Sequence, residues 1–112
     1  MSARAQARLW LAQRITAALL GVCVTVHLAT IIYAVRGGLS AEEIFSRTRG
    51  NHAWLAFYVV FVLAAAVHAP IGLRAIAIEW LGWRARSRDV ALAVFALVLI
   101  WLGLRAAFTV FL

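Results

Sequence analysis

The chain contains no lysine: all 11 basic residues are arginine, and with four acids they leave a net charge of +7. It has a single cysteine, Cys23, and a single proline, Pro70. One cysteine excludes a disulfide within the chain, a Cys-rich zinc site and a self-contained iron–sulfur cluster. No Pro-rich linker, low-complexity tract or internal repeat divides the 112 residues, which read as one domain, 1–112. Charge itself is scarce, at 13% of residues against 66% hydrophobic, with a mean hydropathy of +0.96. Few water-soluble domains of this size can bury so much apolar surface. The solvent is therefore lipid. The arginines do not read as a nucleic-acid footprint, because they cluster at the edges of apolar runs, where they anchor helices and set topology.

What is present is long apolar runs. Ile15 to Val35 is 21 residues without Arg, Asp or Glu, and Ala53 to Leu73 is another 21. Each crosses a hydrocarbon core of about 30 Å at about 1.5 Å per residue. Val90 to Leu104 has only 15, but the run resumes after Arg105 and reaches Leu112, so Arg105 is expected to snorkel towards an interface. The expected architecture is all-α, an integral membrane bundle of three spans near 15–35, 53–73 and 90–112, completed by a second copy or another subunit. "RGGLSAEEIFSRTRGNH" between the first two spans predicts a turn and a short capped surface helix. "RAIAIEWLGWRARSRD" between the last two predicts an interfacial connector, with Trp80 and Trp83 at the headgroups.

The charged start "MSARAQAR" is signal-like, but the following run is too long for a cleavable signal core and no A-x-A site follows it. Span one is read as retained. Arg4, Arg8, Arg14, Arg74, Arg84, Arg86 and Arg88 fall on one side of the membrane, seven in all, and Arg36, Arg47, Arg49 and Arg105 on the other. The excess puts the N-terminus in the cytoplasm.

Two histidines lie inside the spans. His27 is roughly 18 Å from the inner edge and His68 roughly 7–8 Å, by helical rise. An intramembrane histidine is either a ligand, commonly to a metal or haem, or a neutral ring bonded to a carbonyl of a neighbouring helix. Two on successive spans favour haem. Bis-His ligation requires both helices to offer nitrogen at one depth, and here the depths differ by about 10 Å. If both are ligands, each histidine needs a partner from elsewhere, and the two imply two stacked haems, one near each membrane face.

Small residues surround both positions: Gly21 and Cys23 before His27, Ala64 before His68 and Gly72 after it. They let either a porphyrin or a helix approach closely. Pro70 removes an amide donor just past His68. Arg14 and Arg74 at the inner edge, and Arg36, Arg49 and Arg105 at the outer, either anchor the spans or pair with haem propionates.

"QRITAALLGVCVTVH" (Gln13 to His27) followed by "HAPIGLR" (His68 to Arg74) resembles the membrane cytochrome b subunits of succinate dehydrogenases and fumarate reductases. The second stretch is similar to that family's His-x-x-x-Gly-[Ile/Leu]-Arg. A histidine deep in each of the first two helices looks most like the two-haem form, in which the first serves the distal haem and the second the proximal one. That form has five helices, so the resemblance implies either a homodimer, with His27 facing His27 and His68 facing His68, or one haem shared with a different anchor subunit through His68.

The resemblance implies bis-His haem b as cofactor, with His27, His68, Arg14, Arg74, Arg36 and Gly72 at the haem sites. Quinone is the implied substrate. Flavoprotein and iron–sulfur subunits would dock on the cytoplasmic face of the bacterial inner membrane, and electrons would pass between them and quinone. Ala17 stands where the family commonly has Gly, and Trp10 where one-haem members carry a quinone-binding Ser. An inner quinone pocket is then expected from Trp10, Gln13 and Arg14, and Glu42 and Glu43 are either helix-capping acids or proton-transfer groups at an outer one. No residue reads as a dicarboxylate site, so catalysis belongs to the assembled complex. A small multidrug exporter is excluded by the lack of a fourth span and of a carboxylate within the three spans. A haem-free anchor or assembly protein is the rival reading.

Overall fold

A computed structural model describes residues 1–38 and 40–112. Four helices follow in order: α1 Ala3–Gly37, α2 Ala41–Thr48, α3 His52–Leu81 and α4 Arg86–Phe111. No strand occurs among the described residues. α1, α3 and α4 are each long and apolar enough to cross a membrane, and α2 is the short helix expected between the first two spans. The molecule is 49 Å long and 24 by 23 Å across, so its ends extend beyond a hydrocarbon core of about 30 Å.

Side-chain caps fix the starts of α1, α2 and α3, and α4 begins after Ala85 without one. The Ser2 hydroxyl accepts from the Ala5 amide (3.2 Å), Ser40 from Glu43 (3.1 Å) and the Asn51 carbonyl from Trp54 (3.2 Å), each satisfying one donor that helix geometry leaves free. Helix ends do not coincide with span ends. α3 passes through Pro70 and runs eight residues beyond Leu73, stopping where Gly82 takes the left-handed conformation (φ 62°). The expected connector before span three is thus largely helical, with only residues 82–85 outside helices. Leaving the hydrocarbon removes a solvent constraint, not the backbone hydrogen bonds, so α3 continues until its cap.

α3 is central, packing against α1 on one flank and α4 on the other, while α2 packs against α4. Buried apolar positions are small: Cys23, Ala34, Ala64, Ala66, Ala77 and Ala107. Large side chains such as Val22, Leu97 and Trp101 are more than half exposed. Close backbone approach through small residues, with bulky residues outward, is how helices associate where lipid removes the hydrophobic drive. Gly103 marks a close approach between α3 and α4, since a Cβ there would lie 2.5 Å from a Val62 methyl.

One end is locked by α2. Thr48 Oγ1 donates to the Val110 carbonyl (2.8 Å), and the Gly50 amide donates to Phe111 (2.7 Å), so two terminal carbonyls of α4 that would lack helical donors are satisfied. The opposite end holds the α3–α4 turn. There Arg88, buried, bonds Asp89 through Nε (2.9 Å) and Nη2 (2.8 Å) and the Trp83 carbonyl through Nη1 (3.3 Å).

Candidate functional site

His68 is held by α1. The Thr16 hydroxyl, buried between the helices, donates to the Ala12 carbonyl at 2.7 Å, with the Gln13 carbonyl at 3.2 Å. Its oxygen lies 3.2 Å from His68 Nδ1. A hydroxyl has one proton, and here the shorter contact to Ala12 takes it. Thr16 Oγ1 then accepts from His68, which places the imidazole proton on Nδ1 and the free lone pair on Nε2. Nε2 makes no hydrogen bond among the described residues and is not enclosed. This is the state of a histidine ready to ligate through Nε2.

One turn towards the α3–α4 end, Gln13 lies across Gly72, its Nε2 3.3 Å from where a side chain on Gly72 would begin. The small residue there admits the Gln13 amide. Gln13 Oε1 is buried without a partner. The other two inner-pocket residues point elsewhere: the Arg14 guanidinium stacks over Trp10 at 5.1 Å, and Trp10 is 60% exposed. Arg74 reaches α4, 3.9 Å from Asp89.

His27 occupies a different environment. Its half-buried ring meets Tyr58 (5.9 Å) and Phe61 (5.6 Å) edge-on, and Nδ1 is buried with no hydrogen-bond partner. It borders an apolar cleft of about 520 Å³ between α1, α3 and α4, closed at the α2 end by Ile44 and Thr48. A smaller cleft of about 170 Å³ adjoins it, with His27, Tyr58 and Thr48 in common and Arg47 and Trp54 on its wall. The larger volume is in the range of sites that enclose organic ligands. Arg36, Glu42 and Glu43 line neither cleft. Arg36 is exposed in the last turn of α1, Glu42 is exposed in the first turn of α2, and the Glu43 carboxylate rests on Gly37.

The histidines are at different levels. Thr16, the partner of His68, precedes His27 by 11 residues, a rise of about 16 Å along α1. One flat group cannot take both as axial ligands, and each level offers one imidazole. Among the described residues no three His, Cys, Asp or Glu side chains converge. His52, the third histidine, meets Phe111 edge-on at 5.2 Å beside the α2 lock.

Thr16 and Tyr58 were absent from the sequence-derived site. The available signal for Thr16 was a polar residue on span one within about one turn of the depth of His68. Nothing in the residue pattern singled out Tyr58, since an aromatic at helical spacing is ordinary core.

No curated protein and no solved structure matches the chain. The family model for the succinate dehydrogenase/fumarate reductase transmembrane subunit matches residues 1–107, which takes in α1, α3 and most of α4. The chain therefore belongs to the succinate dehydrogenase/fumarate reductase transmembrane subunit family.

Proposed function

We propose that this chain is a haem b-binding membrane anchor of a succinate dehydrogenase/fumarate reductase-type complex, with His68 and His27 as axial ligands at two levels. The observation that carries the reading is the Thr16–His68 hydrogen bond, which leaves Nε2 of His68 as the nitrogen with a free lone pair. Bound haem supplies one-electron chemistry between iron–sulfur and flavoprotein subunits and membrane quinone. The helices supply the imidazoles, exclude water and hold the level of each ligand. At His27 the apolar cleft suits a macrocycle edge, and the chain offers one imidazole there.

Because each level has a single histidine, a second ligand at each would come from another chain. A second copy related by a two-fold axis along the membrane normal supplies both. Arg14 and Arg36 carry the positive charge for propionates, and Arg74 does so in competition with Asp89. Gly72 keeps the Gln13 side chain close to the His68 level. At an inner quinone site Gln13 Oε1 is an unpaired acceptor suited to a quinol hydroxyl, and Trp10 and Arg14, stacked on each other, are the neighbouring candidates. Glu42 and Glu43 are the outer candidates for proton transfer. The arginine excess places the N-terminus on the cytoplasmic side of a bacterial inner membrane, where the soluble subunits dock.

A second reading, one haem held by His68 against a different anchor subunit, is favoured by the unpartnered Nδ1 of His27, since ligating histidines almost always donate that proton. The reduced-minus-oxidised spectrum of the purified complex, with haem-to-chain stoichiometry, separates the readings. One haem per chain, with His27→Ala and His68→Ala each removing a different b-type component, supports the two-haem dimer. One component lost only in His68→Ala supports the heteromeric anchor. No haem in the wild type overturns both and leaves a haem-free anchor.

A further inference from the structure

We infer that Thr16 is a positioning residue that selects the tautomer of His68 and sets the reduction potential of the iron bound there; the second half of this rests on the haem reading above. Free imidazole exchanges its proton between two nitrogens, and the form with the proton on Nε2 cannot ligate through that atom. Thr16 removes the choice. Its hydroxyl proton is held by the Ala12 carbonyl at 2.7 Å, a back-bond to the preceding turn that threonine makes readily within a helix. That bond fixes the rotor, so the oxygen presents a lone pair to His68 Nδ1 at 3.2 Å.

Burial gives the contact its weight. Thr16 is 7% exposed, and an unpaired hydroxyl or imidazole N–H in this interface has no water to turn to. The arrangement also orients the ring, since Nδ1 is tied to α1 while the ring is carried by α3. Donation from Nδ1–H makes the imidazole a stronger electron donor through Nε2, which favours the oxidised iron. His27 has no counterpart, because its Nδ1 is unpartnered.

The test uses the full chain in detergent with ¹⁵N-labelled histidine, comparing wild type, Thr16→Val, Thr16→Ser and His68→Ala. Valine keeps the volume and removes the acceptor; serine keeps the acceptor. In the haem-free chain, wild type and Thr16→Ser show His68 with Nδ1 protonated and Nε2 bare, and Thr16→Val shows a tautomer mixture. In the haem-loaded complex, the component lost in His68→Ala moves to higher potential in Thr16→Val and returns in Thr16→Ser. An unchanged tautomer in Thr16→Val overturns the inference, and so does an unchanged potential in a complex that binds haem. Failure of the wild type to take up haem overturns the haem reading and leaves the tautomer result to decide the role of Thr16. If Thr16→Val does not fold, an Nε2-protonated His68 in the wild type or in Thr16→Ser overturns it.

Discussion

The Thr48 hydroxyl on α2 donates to the Val110 carbonyl on α4 across 2.8 Å, joining residues 62 positions apart at the mouth of the His27 cleft. Thr48 is buried, and its neighbour contact, Gly50 to Phe111, completes the lock. Thr48→Val keeps the shape and leaves the Val110 carbonyl without this donor. The expected loss is about 1 kcal/mol, read as a lower unfolding midpoint in detergent. Hydrogen exchange in α2 accelerates, while that in α1 does not.

At Gly103 the α3–α4 interface has no room for a side chain. Gly103→Ala puts a methyl 2.5 Å from Val62, inside van der Waals distance, and lowers stability by about 1–3 kcal/mol. Val62→Ala in the same chain recovers most of that, since it removes the colliding methyls. Unfolding of the two single variants and the double variant by SDS titration measures the coupling.

Asp89 is the counter-charge of a buried guanidinium. Asp89→Asn leaves Arg88, 7% exposed, without its carboxylate and destabilises the chain by about 1–3 kcal/mol. Arg74→Gln touches the same carboxylate from 3.9 Å with both side chains part exposed, and its effect is about 0–1 kcal/mol. Thermal unfolding of both variants in one detergent checks the ranking.

Ala106 lines the larger cleft with His27. Ala106→Trp fills that space with an indole and leaves the Thr16–His68 pair untouched. The expected outcome is loss of the b-type component that His27→Ala removes and retention of the other, in the reduced-minus-oxidised spectrum. Retention of both components shows that the cleft is not the seat of the His27 haem.

The first two spans were legible because 21 consecutive residues without Arg or acid have few soluble alternatives, and the third because its run of 15 resumes after Arg105. The short helix before span two was legible from Ser40 and its capping turn, and Ser40 does accept from the Glu43 amide. That His27 and His68 lie at different levels followed from counting residues, because helical rise is nearly invariant. The separation is about 16 Å and not about 10 Å, because His68 meets α1 at Thr16, at the very start of the first apolar run. Hydropathy carries no information on facing, since both faces of each span are apolar. Residue counting therefore could not show that Thr16 turns to His68, or that Arg14 turns to Trp10 and Arg74 to Asp89. The extension of α3 to Leu81 was missed for a related reason. Arg74 marked where the lipid ends, and the helix ends at Gly82.

α3 carries the principal contacts of both other spans, and α1 and α4 do not pack substantially on each other. During synthesis this has a temporal consequence. α1 leaves the ribosome first, and the helix it packs on is not made until 14 residues after α1 has ended. In that interval α1 is a solitary span whose imidazole at His27 and hydroxyl at Thr16 face lipid or the insertion machinery. The nascent chain acquires the Thr16–His68 bond only once most of α3 has been inserted, so the orientation of the His68 ring is itself a late product of biogenesis.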